Sequence, residues 1–459
     1  MTDREPQSEK SARRAVVLTA AIAGLGGLLF GYDTGIIASA MLFIKGDFGL
    51  GDFEQGVVVS AVPIGAAFGA LGGGRLADRF GRRTTIMLAA VVFIVGSGAS
   101  AAAPDTLALA LSRLLIGVAI GFASTTAPVY ISEMAPPSVR GRLVTFFQLS
   151  VTVGILVAYL VGLALEPSEG WRAMLALGAL PALLLFVGIL RMPRSPRWLV
   201  MVGRDYDARA TLARIRSGKE EDIELEIKEI EGEISQEPGG WSELRTPLMR
   251  AALTVGVGLA ILQQITGINT VIYYAPQIVQ FTGIDSDSSA ILATIGVGIV
   301  NVAMTIVAIR LLDRAGRRAL LLGGVAVMAI SLFLLGVAFA GDDQDTFSSV
   351  LAVGSLMTFV AAFAISLGPI FWLINSEIYP LRVRSKAASL GTTANWVFNF
   401  IVSLTFLTLI AELGQSGAFW LYAGIGVVTW LFCWKLVPET KGKPLEEIQD
   451  EFRARVGES

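Results

Sequence analysis

Apolar residues gather into long runs that recur along the 459-residue chain. The first set falls near 15–44, 55–74, 84–103, 106–131, 143–165 and 171–192, and the second near 249–281, 289–312, 319–340, 348–374, 387–411 and 416–437. A helix needs roughly 20 mostly apolar residues to cross a bilayer. The pattern therefore predicts an all-α membrane protein, with twelve transmembrane helices in two sets of six. Arg13 and Arg14 ahead of the first run, and Ala38-Ser39-Ala40 within it, resemble a secretory signal. The run is too long for a signal's apolar core and contains Asp33, so it is read as a retained first helix.

Between the sets, 193–247 is polar. There Asp222, Glu224, Glu226, Lys228, Glu229, Glu231 and Glu233 interleave with Ile223, Leu225, Ile227, Ile230 and Ile234. The pattern suits a short amphipathic surface helix; a solvated connector is the other reading. The expected organisation is an N-tail over 1–14, a six-helix bundle over 15–192, a linker over 193–247, a second bundle over 248–437 and a C-tail over 438–459.

The loops sort by charge. One set carries Arg75, Arg79, Arg82 and Arg83, then Arg140 and Arg142, then Arg314, Arg317 and Arg318, then Arg382, Arg384 and Lys386. The alternate set carries Asp47, Asp52 and Glu54, then Asp105, then Glu166 and Glu169, then Asp285 and Asp287, then Asp342, Asp343 and Asp345. Basic loops stay in the cytoplasm. The twelve-helix count puts every basic loop on one side, so both termini are expected in the cytoplasm and the protein in the cytoplasmic membrane.

Short repeats support two related halves. RLADRFGRR at 75–83 returns as RLLDRAGRR at 310–318, and SEMAPPSVR at 132–140 as SEIYPLRVR at 376–384. Each pair sits in matching loops on the same side. The halves are then parallel repeats about an axis along the membrane normal, an arrangement that places substrate at the midplane between them.

Composition agrees. Hydrophobic residues make up 54% and charged residues only 16%, against about a quarter charged in an average soluble domain. The net charge of −2 gives no sign of a nucleic-acid partner. Cys433 is the single cysteine and histidine is absent. That leaves no intramolecular disulfide, no catalytic or metal-binding cluster built on histidine, and only carboxylates for proton chemistry near neutral pH. Neither an enzyme nor a cofactor or metal site is expected.

Several segments together resemble the sugar porter family of the major facilitator superfamily, over nearly the whole chain. They are GYDTG at 31–35, GRLADRFGRR at 74–83, SRLLIG at 112–117, YISEMAPPSVRG at 130–141, QQITGIN at 263–269, DRAGRR at 313–318, GPIFWLINSEIYP at 368–380, NWVFNF at 395–400 and PETKG at 438–442. DRxGRR marks the superfamily; its combination with the second-half motifs is more specific to sugar porters. One departure is PRSPR at 193–197, where the family's second residue is Glu and this chain has Arg194.

The resemblance implies the major facilitator fold and proton-coupled import of a monosaccharide. Asp33 lies inside an apolar run, where a carboxylate is costly unless neutral or paired. The resemblance implies Arg113 as its partner. With Arg113 close, Asp33 is stable as the anion; with Arg113 withdrawn, burial favours the protonated form. A static ion pair joining helices 1 and 4 is the alternative.

Gln148, Gln263, Gln264, Asn269, Asn301, Asn395 and Asn399 also lie in apolar runs. Amides both donate and accept, as sugar hydroxyls do, and unpaired amides are costly in a bilayer. Gln148, Gln263, Asn269, Asn301 and Asn395 match family positions that contact sugar, as do Trp372 and Trp396; Gln264 completes the expected site. Such amides can also bridge membrane helices, and Asn399 fits that use best.

The charged loops suggest a cytoplasmic gate, whose basic residues pair with Glu133, Glu377 and Glu439 when that side is closed; topology signalling alone is the other reading. The gate comprises Asp78, Arg82, Arg83, Glu133 and Arg140 in the first half, and Asp313, Arg317, Arg318, Glu377 and Arg384 with Glu439 in the second. These loops lack the glycine-rich cradle of a nucleotide-phosphate loop. Gly26, Gly27, Gly31 and Gly35 in helix 1 point to close helix packing. The other functions weighed are a sugar or inositol uniporter and a sugar sensor. One chain suffices for transport by this architecture, so the protein is expected to work as a monomer, with a monosaccharide, protons and lipid as its partners.

Overall fold

The computed structural model describes residues 4–136, 139–216, 220–234, 240–283, 286–341, 346–380, 382–443 and 445–456, without the side chains of 4–13, Glu233, Ile234, Asp313, Glu446, Arg455 and Val456. Asp285, Asp342, Asp343 and Asp345 of the acidic loops lie outside the described residues, as does the side chain of Asp313.

Lipid offers no partner to a backbone N–H or C=O, so a chain this apolar must satisfy those groups within helices. The first six spans are α1 (Arg4–Asp47), α2 (Asp52–Phe80), α3 (Arg82–Ala101), α4 (Thr106–Met134), α5 (Arg140–Leu165) and α6 (Trp171–Leu190). Three short linker helices follow: α7 (Pro196–Met201), α8 (Asp205–Arg216) and α9 (Glu220–Ile234). The second set begins with α10 (Pro247–Tyr273), extended by α11 (Ala275–Gln280), and continues with α12 (Asp287–Ala315), α13 (Arg317–Ala338) and α14 (Thr346–Glu377). The last two helices are α15 (Arg384–Leu436) and α16 (Leu445–Val456).

Among the described residues, eleven helices are long and apolar enough to cross a membrane. The twelfth crossing is folded into α15, whose 53 residues would reach about 80 Å as one rod, far beyond a hydrocarbon core of about 30 Å. It bends at Gly414, where φ is +71°, a conformation glycine adopts at little cost. Two limbs, 384–413 and 415–436, therefore cross separately.

The linker is helical where its pattern alternates. On α9, Ile223, Ile227 and Ile230 are buried and Leu225 is exposed, the i, i+4, i+7 face of a helix lying on a surface. Large apolar side chains line the outside of the bundle, among them Leu18, Phe68, Leu111, Leu160, Leu184, Phe333 and Val428. On a water-soluble protein so broad an exposed apolar surface would be a liability; here it is the face for lipid.

Close packing holds the first half together. A side-chain carbon at Gly31 would run into the Val151 carbonyl of α5. A side-chain carbon at Gly154 on α5 would likewise come within 2.5 Å of the Leu28 carbonyl. Gly31→Val is expected to break the α1–α5 crossing, since overpacking a filled interface costs at least about 1–3 kcal/mol. A monodisperse Gly31→Val protein with an unchanged melting midpoint would contradict this.

The apolar core divides unevenly. One cluster joins the second set of helices to residues 32–44 of α1, Val58 and Val59 of α2, and Val151 to Tyr159 of α5. The other belongs to the first half, running through Val16 to Leu29, Val62 to Ala67 and Ile116 to Ala135, with Trp396 as its contact from the second half. The halves are thus packed together toward the face with the acidic loops and separated toward the face with the basic loops. Gln277 Nε2 donates to Gln55 Oε1 at 3.0 Å, and the Tyr159 hydroxyl to the Ile272 carbonyl at 3.0 Å, both across the packed side.

Candidate functional site

Two helices of the second half break where the halves meet. α10 is interrupted at Thr266-Gly267 and α14 at Ser366. Breaks free backbone groups, and in a membrane these are tolerated where protein or a wet cavity satisfies them. Gln263 braces the α14 break, its Nε2 donating to the carbonyls of Leu367 at 2.9 Å and Gly368 at 3.1 Å.

From Gln263 a chain of amides continues. Asn395 Nδ2 donates to Gln263 Oε1 at 2.6 Å and to the Ala260 carbonyl at 3.2 Å. Gln264 Nε2 donates to Asn395 Oδ1 at 3.0 Å, and Asn269 Nδ2 to Gln264 Oε1 at 2.6 Å. Interlocked in this way, the amides hold one another in fixed orientations.

They face a cavity between the halves of about 90 Å³, room for several waters at about 10–15 Å³ each. Gln148, Gln263, Gln264, Asn269, Asn301, Trp372, Asn395 and Trp396 all line it. The side chains of Gln148 and Asn301 find no hydrogen-bond partner among the described residues. Trp396 packs against Phe30 of α1 with ring centroids 5.3 Å apart, and its indole N–H is buried without an acceptor. Trp372 stands 40% exposed against Phe371. Asn399 accepts from the Ser403 hydroxyl at 3.1 Å while also lining the cavity.

Asp33 is not a lining residue, but its neighbour Thr34 is. Asp33 and Arg113 are both almost fully buried. Arg113 reaches both carboxylate oxygens at 3.3 Å and donates Nε to the Val58 carbonyl at 2.9 Å. The pair joins α1 to α4 and rests on α2, one residue behind the cavity wall.

On the basic face, each half holds its own charges. Arg82 pairs with Glu133 and Asp78, both at 3.1 Å, and Arg83 donates to the carbonyls of Ile189 and Leu190. Arg317 pairs with Glu377 at 3.2 Å, and Arg318 donates to the Trp434 carbonyl at 2.7 Å. Arg384 donates to the Tyr379 carbonyl, and Arg140 is exposed. Among the described residues, no ion pair joins the two halves on this face. The pairs to Glu133, Glu377 and Glu439 therefore form with the face open as well.

Glu439 accepts from the backbone N–H groups of Arg317, Arg318 and Lys441 at 2.9, 3.0 and 3.0 Å. Burial opposes its ionisation, but these three donors and the Arg317 charge hold its carboxyl below the ordinary value. A lowered carboxyl pKa gives stability that is present above the unfolded value of about 4.3 and is lost as pH falls through the lowered one. Glu439→Gln is therefore expected to lower the melting midpoint by the same amount at pH 6, 7 and 8. A loss that shrank across that range would contradict the assignment.

The profile of the family described as sugar (and other) transporter matches residues 19–452. This chain belongs to that family. It is 44% identical to the putative metabolite transport protein YwtG of Bacillus subtilis, over 95% of this chain and 94% of YwtG. It is 40% identical to the galactose-proton symporter of Escherichia coli, covering 97% of this chain and 96% of that one. Its fold matches the xylose transporter XylE of E. coli in a partially occluded inward-open conformation, with a TM-score of 0.83, 34% identity, and coverage of 94% of this chain and 100% of that one. The twelve-helix, two-bundle architecture is that of a major facilitator.

Within this family framework the structure adds residues that the sequence reading did not single out. Thr152 and Thr305 line the cavity, one helical turn beyond Gln148 and Asn301. The i, i+4 spacing places them on the same faces. Gln55 and Gln277, also amides in apolar runs, join the halves on the closed side.

Proposed function

We propose that this chain imports a monosaccharide across the cytoplasmic membrane with a proton, by alternating access. The observation that carries the reading is the cavity at the junction of the halves. It is lined by amides whose partners are mostly each other, with free donors and acceptors at Gln148 and Asn301 and two tryptophans. A sugar ring offers hydroxyls that donate and accept and apolar C–H faces for the indoles. The family and the proton-coupled relatives support the same reading.

The basic loops mark the cytoplasmic face, which puts both termini inside. Packing on the acidic face and separation on the basic face then correspond to an inward-open state. Gln148, Gln263, Gln264, Asn269, Asn301, Trp372, Asn395 and Trp396 bind sugar. Asp33 carries the proton, and its pairing with Arg113 is the deprotonated arrangement expected after release to the inside. The charged residues of the basic face, Arg82, Arg83, Glu133, Arg317, Arg318, Glu377 and Glu439 among them, steady each bundle and meet across the gate when that face closes. The chain works as a transporter rather than an enzyme, one copy at a time, in lipid.

Counterflow in proteoliposomes with no proton gradient tests the site. Vesicles loaded with unlabelled D-xylose, D-galactose, L-arabinose or D-glucose should take up the same labelled sugar in at least one case. Absence of counterflow with every monosaccharide would end the reading. The uniport reading rests on the same buried pair acting as a static brace, and proton-driven accumulation by the unmodified chain separates the two.

A further inference from the structure

The two halves use the same parts on the basic face, with one exception. Arg82 with Glu133 mirrors Arg317 with Glu377, and Arg83 binds the end of α6 as Arg318 binds the end of α15. Pro193-Arg194-Ser195 then stands where the second half has Pro438-Glu439-Thr440. Glu439 caps the first amides of α13. At the corresponding place the first half carries a cation, Arg194, whose guanidinium lies over the Trp198 ring at 5.0 Å.

Beside Arg194 lies a cavity of about 290 Å³, separate from the sugar cavity. Arg83, Arg194, Arg204 and Arg214 line it with a single carboxylate, Asp207. Asp207 is engaged by Arg204, whose Nε lies 2.7 Å away. Four guanidiniums against one carboxylate leave a surplus of three positive charges. No carboxylate pairs with Arg194 or Arg214 among the described residues. Clustered cations in a concave wall concentrate anions, and guanidinium forks match phosphate oxygens in geometry. The cavity sits where α3 begins and α6 ends, on the face with the basic loops, and basic pockets on the cytoplasmic side of helical bundles suit lipid headgroups.

We propose that this cavity binds a phosphate-type anion, either the headgroup of an anionic phospholipid or soluble phosphate, and that the anion supplies to the first half the negative charge Glu439 supplies to the second. Arginine side chains do the holding, so no glycine cradle is needed.

The test uses the full chain in neutral detergent. Its melting midpoint is followed against inorganic phosphate, dihexanoyl phosphatidylglycerol and dihexanoyl phosphatidylcholine, with chloride keeping ionic strength constant. A ligand that binds only the folded state raises the midpoint in proportion to the logarithm of one plus its concentration divided by Kd. Arg204→Gln/Arg214→Gln should weaken the response by at least about tenfold in concentration, through loss of two charged contacts. Arg194→Glu should raise the midpoint without ligand and abolish the response. A response to phosphatidylglycerol alone assigns the lipid, and a response to inorganic phosphate as well assigns the soluble anion. No response in the unmodified protein, an equal response to phosphatidylcholine, or an unaltered response in Arg204→Gln/Arg214→Gln would overturn the proposal.

Discussion

Asp33→Asn is expected to abolish accumulation of sugar against its gradient while leaving exchange of sugar across the membrane intact. Asparagine keeps the shape of the side chain and a hydrogen-bond acceptor for Arg113, so the α1–α4 contact survives in outline. It cannot take up or release a proton, so the return step no longer depends on the proton gradient. The cost is concentrated in Arg113, which is almost fully buried and would lose its counter-charge, keeping only neutral acceptors at the Val58 carbonyl and the new amide oxygen. Breaking one partner of a buried pair typically costs about 3–5 kcal/mol, so the melting midpoint should fall as well. Uphill uptake and counterflow measured on the same proteoliposomes separate the two effects. If uphill uptake survives in Asp33→Asn, Asp33 does not carry the proton and its pair with Arg113 is a brace.

Gln263→Leu is expected to weaken sugar affinity about 100-fold and to lower the melting midpoint too. Its side chain braces the α14 break through two carbonyls and orients Asn395, whose amide would lose its acceptor. Each buried polar group left without a partner costs about 1–3 kcal/mol, and about 1.4 kcal/mol is a factor of ten in affinity. Gln148→Ala is the contrast. That amide has no protein partner to lose, so affinity should fall about tenfold with the midpoint nearly unchanged. Equal thermal losses in both variants would contradict the division into positioning and free amides.

Much of this was legible in the chain. The apolar runs set the spans because a bilayer requires a fixed helix length. The charge alternation and the two repeats separated the halves. Polar residues within apolar runs marked the cavity, since only a site or a helix contact keeps an amide there. The breaks at Gly267 and Ser366 were not legible, because both lie in apolar runs that read as continuous helices. The choice between sugar contact and helix bridge for Gln263 is thus settled only by the break, since most of its side-chain bonds go to α14 and Asn395. The basic-face pairing was also hidden, because a motif gives residues and not which half supplies the partner. The surplus of arginine in the first half emerged only when α8 folded back to place Arg204 and Arg214 beside Arg194.

Proton-driven accumulation is the most direct test of the whole account. Proteoliposomes holding the purified chain, given an inward proton gradient and a labelled monosaccharide that passes counterflow, should concentrate the sugar above its external level, and a protonophore should return it to equality. Uptake that only ever reaches equality, or accumulation that persists with the protonophore, would contradict a carrier that moves sugar and proton through one cavity.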